Sequence, residues 1–182
     1  RYYKVMCAQE NSMPESIEIV IPVLNEENAL IGSINCLHRF LSKNIHRPWR
    51  IVIADNGSND ATPRVSNNLT EKYPEVSYTR IEKRGRGRAL RKTWLESHAD
   101  IVIYMDVDLS TDLNALPQMI HAIEDGYDLA IGSRLTKGAR VIGRSLKREL
   151  ISRIYNLIIK AMFFTKFSDA QCGFKAMTSK SA

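Results

Sequence analysis

The chain alternates short runs of β-branched and aliphatic residues with longer amphipathic segments, and few folds accommodate that alternation. Strands are predicted at 16–23, 50–54, 76–81, 100–105 and 127–131. Helices are predicted between them at 26–41, 60–72, 88–98 and 113–125. The run RIVIA at 50–54 is mostly apolar, as expected for a strand in a parallel sheet that helices cover on both sides. The pattern therefore predicts an α/β fold in which helices flank a mostly parallel sheet.

One domain is predicted over 16–182, after an N-terminal extension at 1–15, because no linker or repeat interrupts the pattern. Its 182 residues, 44% of them apolar, are enough to bury a sizeable core. The three cysteines are far apart in sequence, which argues against a disulfide framework or a zinc site and fits a reducing compartment. No apolar run is long enough to predict a membrane span.

Positive charge is concentrated late in the chain. The formal net charge is +6, yet the segment 134–166 alone contains nine Lys or Arg residues against one Glu. Part of this segment, 146–164, is predicted to be a helix with one apolar stripe. A basic block of this kind favours a phosphate-bearing partner, such as a nucleic acid, an anionic lipid or a phosphorylated substrate. A merely solvated charged face is the alternative.

Polar residues follow several of the predicted strands, where ligands collect in open α/β sheets. Asp106 and Asp108 come directly after the strand at 100–105 and, two residues apart, are expected to face the same side. Paired carboxylates suit Mg²⁺ or Mn²⁺, and such an ion neutralises charge on a departing diphosphate. The alternative is that one Asp caps the next helix and the other is solvated.

Two further segments are candidates for contacts to a nucleotide. Asp55, Asn56 and Ser58 are placed to hydrogen-bond a base or ribose, although turn formation and helix capping explain such residues equally well. The run RGRGRALR at 84–91 could cradle phosphate. It does not follow the first strand, so the dinucleotide-binding fingerprint is not met. No residue is placed as a clear general base. An acceptor phosphate would not require one, because its nucleophilic oxygen is already anionic near neutral pH.

Six segments, in this order and spacing, resemble the family-2 glycosyltransferases of the GT-A (Rossmann-like) fold, and more narrowly the dolichyl- and polyprenyl-phosphate glucose or mannose synthases. They are PVLNEE at 22–27, ADNGSNDAT at 54–62, RGRGRALR at 84–91, MDVDL at 105–109, DLAIGSR at 128–134 and DAQCGFKAM at 169–177. The resemblance spans about residues 16–182. It implies that the family's longer members continue beyond the position of Ala182.

The resemblance implies a role for individual residues. The residues implied in nucleotide-sugar binding are Pro22, Leu24, Glu26, Ile53, Asp55, Arg86, Asp106, Val107 and Asp108. Asp106 and Asp108 would also be the catalytic metal ligands, for Mg²⁺ or Mn²⁺. Arg134, Arg148 and Ser152 would bind the acceptor phosphate, with Gln171 and Lys175 near the sugar and acceptor. Asn56 departs from the family, because many relatives have a second Asp there.

The implied reaction moves a hexose, with inversion, from a nucleotide sugar to a polyprenyl or dolichyl phosphate. The DAQCGFK segment favours UDP-glucose, with GDP-mannose next. The implied setting is the cytoplasmic face of a membrane, whose surface the basic helix would contact, and no nucleic acid is expected. Two alternatives stay open: a polysaccharide acceptor, with Asp169 as the candidate base, and a non-catalytic basic module that binds nucleic acid or anionic lipid.

Overall fold

The computed structural model describes residues 16–82, 85–133 and 172–182, with seven helical positions between 151 and 162. The strands are β1 (Ile17–Val23), β2 (Trp49–Asp55), β3 (Val76–Arg80), β4 (Ile101–Met105), β5 (Leu129–Ile131) and β6 (Phe174–Thr178). The helices are α1 (Leu30–Asn44), α2 (Thr62–Lys72), α3 (Arg86–Leu95) and α4 (Leu116–Glu124). The predicted helix at 146–164 falls largely outside the described residues.

The six strands of this part of the chain form one sheet in the order β3-β2-β1-β4-β6-β5. β1 pairs in parallel with β2 and with β4, and β2 pairs in parallel with β3. β6 runs antiparallel between β4 and β5. The predicted α/β class with a mostly parallel sheet is therefore confirmed, although the sequence did not predict β6. Its residues, FKAMT, lack the β-branched run that marks the other strands.

Helices cover both faces of the sheet, which explains why β1 and β4 are buried along their whole length. On one face, α1, α2 and α4 pack against the larger core cluster, in which Ile19, Ile53 and Ile103 are fully buried. On the other face, α3 covers a smaller cluster that includes Val20 and Ala89. The apolar stripe of α1 lies at helical spacing and consists of Leu30, Ile34, Leu37 and Leu41.

α1 begins at Leu30, four residues after the predicted start, because the preceding segment is bound to the start of α2. The backbone N–H of Glu26 donates to Thr62 Oγ1 over 2.8 Å, and that of Glu27 donates to Asp60 Oδ2 over 3.2 Å. The Glu27 carboxylate in turn accepts from the backbone N–H of Ala61 over 2.6 Å. These contacts hold the segment after β1 as a loop, and the loop borders the cavity described next.

Candidate functional site

A cavity of about 460 Å³ opens where β1, β2 and β4 end. The order of the strands reverses at β1: β2 and β3 lie on one side of it, and the chain then returns to add β4 on its other side. A crevice forms at such a point in a parallel sheet. The lining comes from these strand ends and the turns after them: Pro22, Val23, Leu24, Glu26, Asn56, Asp106, Val107 and Asp108. A second hollow, of about 520 Å³, lies beside α1 and α2, and the described residues that line it include no carboxylate, so the strand-end cavity is the stronger candidate.

Asp106, the first residue after β4, is held in place by two neighbouring segments. The Tyr104 hydroxyl donates to Asp106 Oδ1 over 2.8 Å, and the Asp106 backbone N–H donates to the carbonyl oxygen of Gly173 over 3.2 Å. A Cβ atom at position 173 would lie 1.7 Å from Asp106 Oδ2. The carboxylate therefore occupies the space that any side chain at 173 would need, and glycine is required there on steric grounds.

Asp108 reaches the same cavity through a tight turn. The Leu109 backbone N–H donates to the carbonyl oxygen of Asp106 over 3.2 Å, with Leu109 at φ +46°. The Ser110 backbone N–H donates to Asp108 Oδ1 over 3.0 Å, which orients that carboxylate. Asp108 is exposed and Asp106 is half-buried. The turn thus places the exposed carboxylate of Asp108 in the same cavity as the half-buried carboxylate of Asp106, at the end of β4.

The two carboxylates fit a divalent cation that is bound together with a nucleotide. No group of three or more His, Cys, Asp or Glu residues is placed to hold a metal within the described ranges. Mg²⁺ is commonly held by one or two carboxylates, with water and substrate phosphates completing its coordination. The donor set here, two hard oxygen ligands on one cavity wall, matches that arrangement, and Asp106 and Asp108 would hold the ion.

The wall formed by the ends of β1 and β2 has a different chemistry. Pro22 and Leu24 present apolar surface, and Leu24 is 39% exposed. The loop that carries Leu24 and Glu26 is tied to the segment after β2, because the backbone N–H of Asn25 donates to Ser58 Oγ over 2.9 Å. Apolar surface with a few polar groups, in the same cavity as a pair of carboxylates, suits the nucleoside part of a metal–nucleotide complex.

Ile53 and Asp55 do not border the cavity, although the resemblance implied that they line it. Both are fully buried, and the Asp55 carboxylate accepts hydrogen bonds from other groups of the protein. Its Oδ1 accepts from the Ser58 backbone N–H over 2.9 Å, and its Oδ2 accepts from the Tyr78 hydroxyl over 2.8 Å. Successive strand residues point to opposite sides, so the next residue, Asn56, reaches the cavity instead.

Tyr78 and Arg80 complete a hydrogen-bonded ionic network around the buried Asp55 carboxylate. Arg80 donates from its guanidinium to Asp55 Oδ2 over 3.3 Å. Burial raises the pKa of Tyr78 to about 12, and the hydrogen bond to Asp55 acts in the same direction. The phenol therefore keeps its proton and remains a donor to the carboxylate through the physiological pH range. This network fixes the end of β2 and, with it, the position of Asn56.

The remaining predicted site residues are only partly covered by the structure. Val107 lines the cavity between the two aspartates. Lys175 lies on β6, in register with Tyr104 and Ile131, and is not among the residues that line the cavity. The backbone of Arg86 begins α3, while its side chain lies outside the described residues. Four further predicted site residues also lie outside the described residues: Arg134, Arg148, Ser152 and Gln171.

A family model for glycosyl transferase family 2 matches residues 18–182. The chain belongs to that family. Among curated relatives of this family-2 chain, glycosyltransferase AglD of Haloferax volcanii is 31% identical over 168 residues, which is 89% of the chain and 26% of the relative. A dolichol-phosphate mannosyltransferase of Pyrococcus furiosus is 31% identical over 137 residues, 75% of the chain and 38% of the relative.

A dolichyl-phosphate beta-glucosyltransferase of Dictyostelium discoideum is 28% identical over 180 residues, 91% of this family-2 chain and 55% of the relative. The chain thus spans between about a quarter and about half of these three relatives. Among solved structures, a glucosyl-3-phosphoglycerate synthase of Mycobacterium tuberculosis with Mn²⁺, UDP-glucose and glycerol 3-phosphate superposes with a TM-score of 0.64. It is 16% identical and covers 98% of this chain and 65% of its own, and it supports the predicted GT-A fold.

Three residues of the site were not found by reasoning from the sequence. Val23 lines the cavity as the last residue of β1. Tyr104 donates a hydrogen bond to the Asp106 carboxylate, and Gly173 leaves free the space that this carboxylate occupies. Residues i and i+2 along an extended chain share a face, so the spacing of Tyr104 and Asp106 could have predicted their contact. For Gly173 no signal was available, because its contact depends on the pairing of β6 with β4.

Proposed function

We propose that this family-2 chain is the catalytic part of a glycosyltransferase that moves a hexose from a nucleotide sugar to a polyprenyl or dolichyl phosphate. UDP-glucose is the favoured donor and GDP-mannose is the next. The observation that carries the proposal is that the strand-end cavity is lined both by the carboxylates of Asp106 and Asp108 and by the apolar surface of Pro22 and Leu24. Relatives named as dolichyl-phosphate glucosyl- and dolichol-phosphate mannosyltransferases support the choice of acceptor.

The two aspartates would hold Mg²⁺ or Mn²⁺, which supplies compensating charge for the leaving diphosphate when it is bound. Tyr104 and Gly173 keep the Asp106 carboxylate in one position, so that little rearrangement is needed when the nucleotide enters. A divalent ion in a Mycobacterium tuberculosis protein of the same fold, solved with Mn²⁺ and UDP-glucose, supports this role.

The proposed reaction is a single displacement that inverts the anomeric carbon. An oxygen of the acceptor phosphate forms the new bond to the anomeric carbon, while the bond from that carbon to the diphosphate oxygen breaks and the nucleoside diphosphate leaves. A phosphate oxygen is already anionic near neutral pH, so no side chain has to remove a proton. Arg134, Arg148 and Ser152 are proposed to bind this phosphate, with Gln171 and Lys175 near the sugar.

A membrane surface is the proposed setting, with the catalytic domain on the cytoplasmic side. The described positions of the helical segment between 151 and 162 carry several exposed apolar side chains, among them Ile151, Leu157 and Met162 at 64–67% exposure. Such side chains, close in sequence to Lys and Arg, suit the boundary between lipid headgroups and acyl chains. In the part of the chain that the structure covers, no helix is both long and apolar enough to cross a bilayer.

The test is transfer of label from donor to lipid. The purified protein is incubated with Mg²⁺ or Mn²⁺, radiolabelled UDP-glucose or GDP-mannose, and a short polyprenyl phosphate. We expect label in the organic phase, more from UDP-glucose, and at least a hundredfold less with Asp108→Ala. Asp125→Ala removes an exposed aspartate at the end of α4 and is the matched control, expected to keep full activity. A folded protein that transfers from neither donor contradicts the proposal.

A further inference from the structure

The second hollow, of about 520 Å³, lies at the edge of the sheet opposite the strand-end cavity. α1 and α2 end close to where β2 and β3 begin, whereas the strand-end cavity opens where β1, β2 and β4 end. Three cationic side chains line this hollow, Arg39, Lys43 and Lys72, and no carboxylate is found among its described lining residues. Outside residues 134–166 the chain has more Asp and Glu than Lys and Arg, so this lining differs from the average surface.

Two aromatic side chains give the second hollow a fixed base. The rings of His38 and Tyr73 stack with their centroids 4.0 Å apart, and the His38 ring packs edge-on against Trp49 at 5.2 Å. His38 Nε2 lies 3.1 Å from Glu75 Oε2 and forms a hydrogen bond with it. Glu75 is not part of the lining, so the carboxylate that follows α2 is bonded to His38 outside the hollow.

Lys72 and Asn35 hold each other in place within the hollow. Lys72 Nζ donates to Asn35 Oδ1 over 3.2 Å and lies 4.7 Å from the centroid of the Tyr73 ring. The Tyr73 hydroxyl donates to the same Oδ1 over 2.7 Å. An ammonium group is only a donor, so the amide atom that faces Lys72 must be the oxygen. The NH₂ group is then the other end of the amide, and Asn35 adds a hydrogen-bond donor to the three cations.

Arg39 and Lys43 have neither an ion-pair nor a hydrogen-bond partner in the part of the chain that the structure describes. Arg47 and Arg50, a few residues further along, each pair with a carboxylate. A cation in the last turn of a helix stabilises the helix dipole, which explains Lys43. It does not explain Arg39, which lies more than a turn before the end of α1. The hollow thus gathers donors and positive charge that no group of the described protein neutralises.

We propose that the second hollow is a binding site for a compact soluble anion with at least two negative charges, either a phosphate monoester or a diphosphate. Arg39 and Lys43 contact its oxygens together with Lys72, which Asn35 holds in position. Guanidinium and ammonium groups form strong hydrogen bonds with phosphate oxygens. A lining of donors without a carboxylate excludes metal cations for the same electrostatic reason.

An anionic lipid headgroup presents the same chemistry, but the position of the hollow favours a soluble source. The phosphate of a lipid acceptor has to reach the strand-end cavity, so that edge of the sheet faces the bilayer. The second hollow lies at the opposite edge and therefore faces solvent. This choice of source rests on the proposed function, whereas the anion site itself does not.

The probe is inorganic diphosphate, and its binding is measured by calorimetry with EDTA present, so that no metal ion draws it to the strand-end cavity. We expect the double variant Arg39→Ala/Lys43→Ala to bind at least about tenfold more weakly, because two charged donors are lost. Asn35→Asp keeps the acceptor for Lys72 and adds a negative charge to the lining, and at least about tenfold weaker binding is expected there too. Circular dichroism confirms that both variants are folded.

Arg64→Ala/Lys92→Ala is the matched control. It removes the same charge from exposed positions on α2 and α3 that do not line the hollow, and is expected to bind diphosphate within about twofold of the native protein. A native protein that does not bind diphosphate overturns the inference. Equal affinity in the native protein and both hollow variants, or an equal loss in the control, overturns it as well.

Sedimentation with vesicles of phosphatidylcholine and phosphatidylglycerol separates the two sources of the anion. We expect Arg39→Ala/Lys43→Ala to bind these vesicles as the native protein does. Weaker vesicle binding in this variant, without a change in diphosphate affinity, assigns the hollow to a lipid headgroup and overturns the inference. The hollow shares no described lining residue with the strand-end cavity, so failure of sugar transfer contradicts the proposed function and leaves these binding results unaffected.

Discussion

Replacing Gly173 by alanine is expected to weaken divalent-metal binding ten- to hundredfold while the protein stays folded. The new Cβ would lie 1.7 Å from Asp106 Oδ2 and 2.5 Å from Asp106 Cγ, well inside van der Waals contact. Either the carboxylate turns away, which removes a metal ligand from its position, or β6 moves off β4. Displaced ligands and lost support of this kind cost about ten- to hundredfold in metal affinity. Overpacking costs about 1–3 kcal/mol of stability in addition.

Mn²⁺ affinity of Gly173→Ala, measured by electron paramagnetic resonance of the free ion, tests this expectation, with circular dichroism to monitor folding. The control is Gly32→Ala, in α1, where nothing lies within 4 Å of the added Cβ. That change replaces glycine in the first turn of a helix and is expected to stabilise the protein by at most about 0.5–1 kcal/mol, with no effect on the metal. Native Mn²⁺ affinity in Gly173→Ala would refute the steric reasoning.

Two further variants test the groups that hold the carboxylates. Tyr104→Phe removes the hydroxyl that donates to Asp106 Oδ1, and we expect about tenfold weaker Mn²⁺ binding at nearly unchanged stability; unaltered metal affinity would contradict a positioning role. Tyr78→Phe removes the donor to the buried Asp55 and is expected to cost about 1.5–3 kcal/mol of unfolding free energy at neutral pH, measured by urea denaturation. Because the pKa of Tyr78 is raised to about 12 in the folded state, its stabilisation is complete below about pH 10, the pKa of an unfolded tyrosine, and is lost as the pH rises toward 12. The native protein should therefore lose more stability than Tyr78→Phe between about pH 10 and 12, and parallel losses would contradict the assigned contact.

The strands that build the site could be predicted closely from the sequence. β1, β2 and β4 begin and end within one residue of their predicted bounds, because a strand covered on both faces needs an apolar run and little else. The expectation that polar residues after these strands meet at one edge followed from parallel pairing alone. Asp106 and Asp108 were expected together because residues two apart in an extended chain face the same side, and they border the same cavity.

Features that depend on tertiary pairing could not be predicted. β6 is inserted between β4 and β5 from a segment more than 40 residues after β5, and no local pattern specifies that partner. The choice between Asp55 and Asn56 at the cavity depends on which face of β2 meets which helices. The late start of α1 reflects hydrogen bonds from the loop before it to Asp60 and Thr62, which lie over 30 residues away.

The central claim is that Asp106 and Asp108 join a divalent ion to a nucleotide in the strand-end cavity. Calorimetry of UDP binding, with saturating Mn²⁺ and then with EDTA, tests it most directly. The native protein is expected to bind UDP at least tenfold more tightly with Mn²⁺, and Asp108→Ala to bind with the same low affinity in both conditions. Equal affinity of the native protein with Mn²⁺ and with EDTA would contradict the claim.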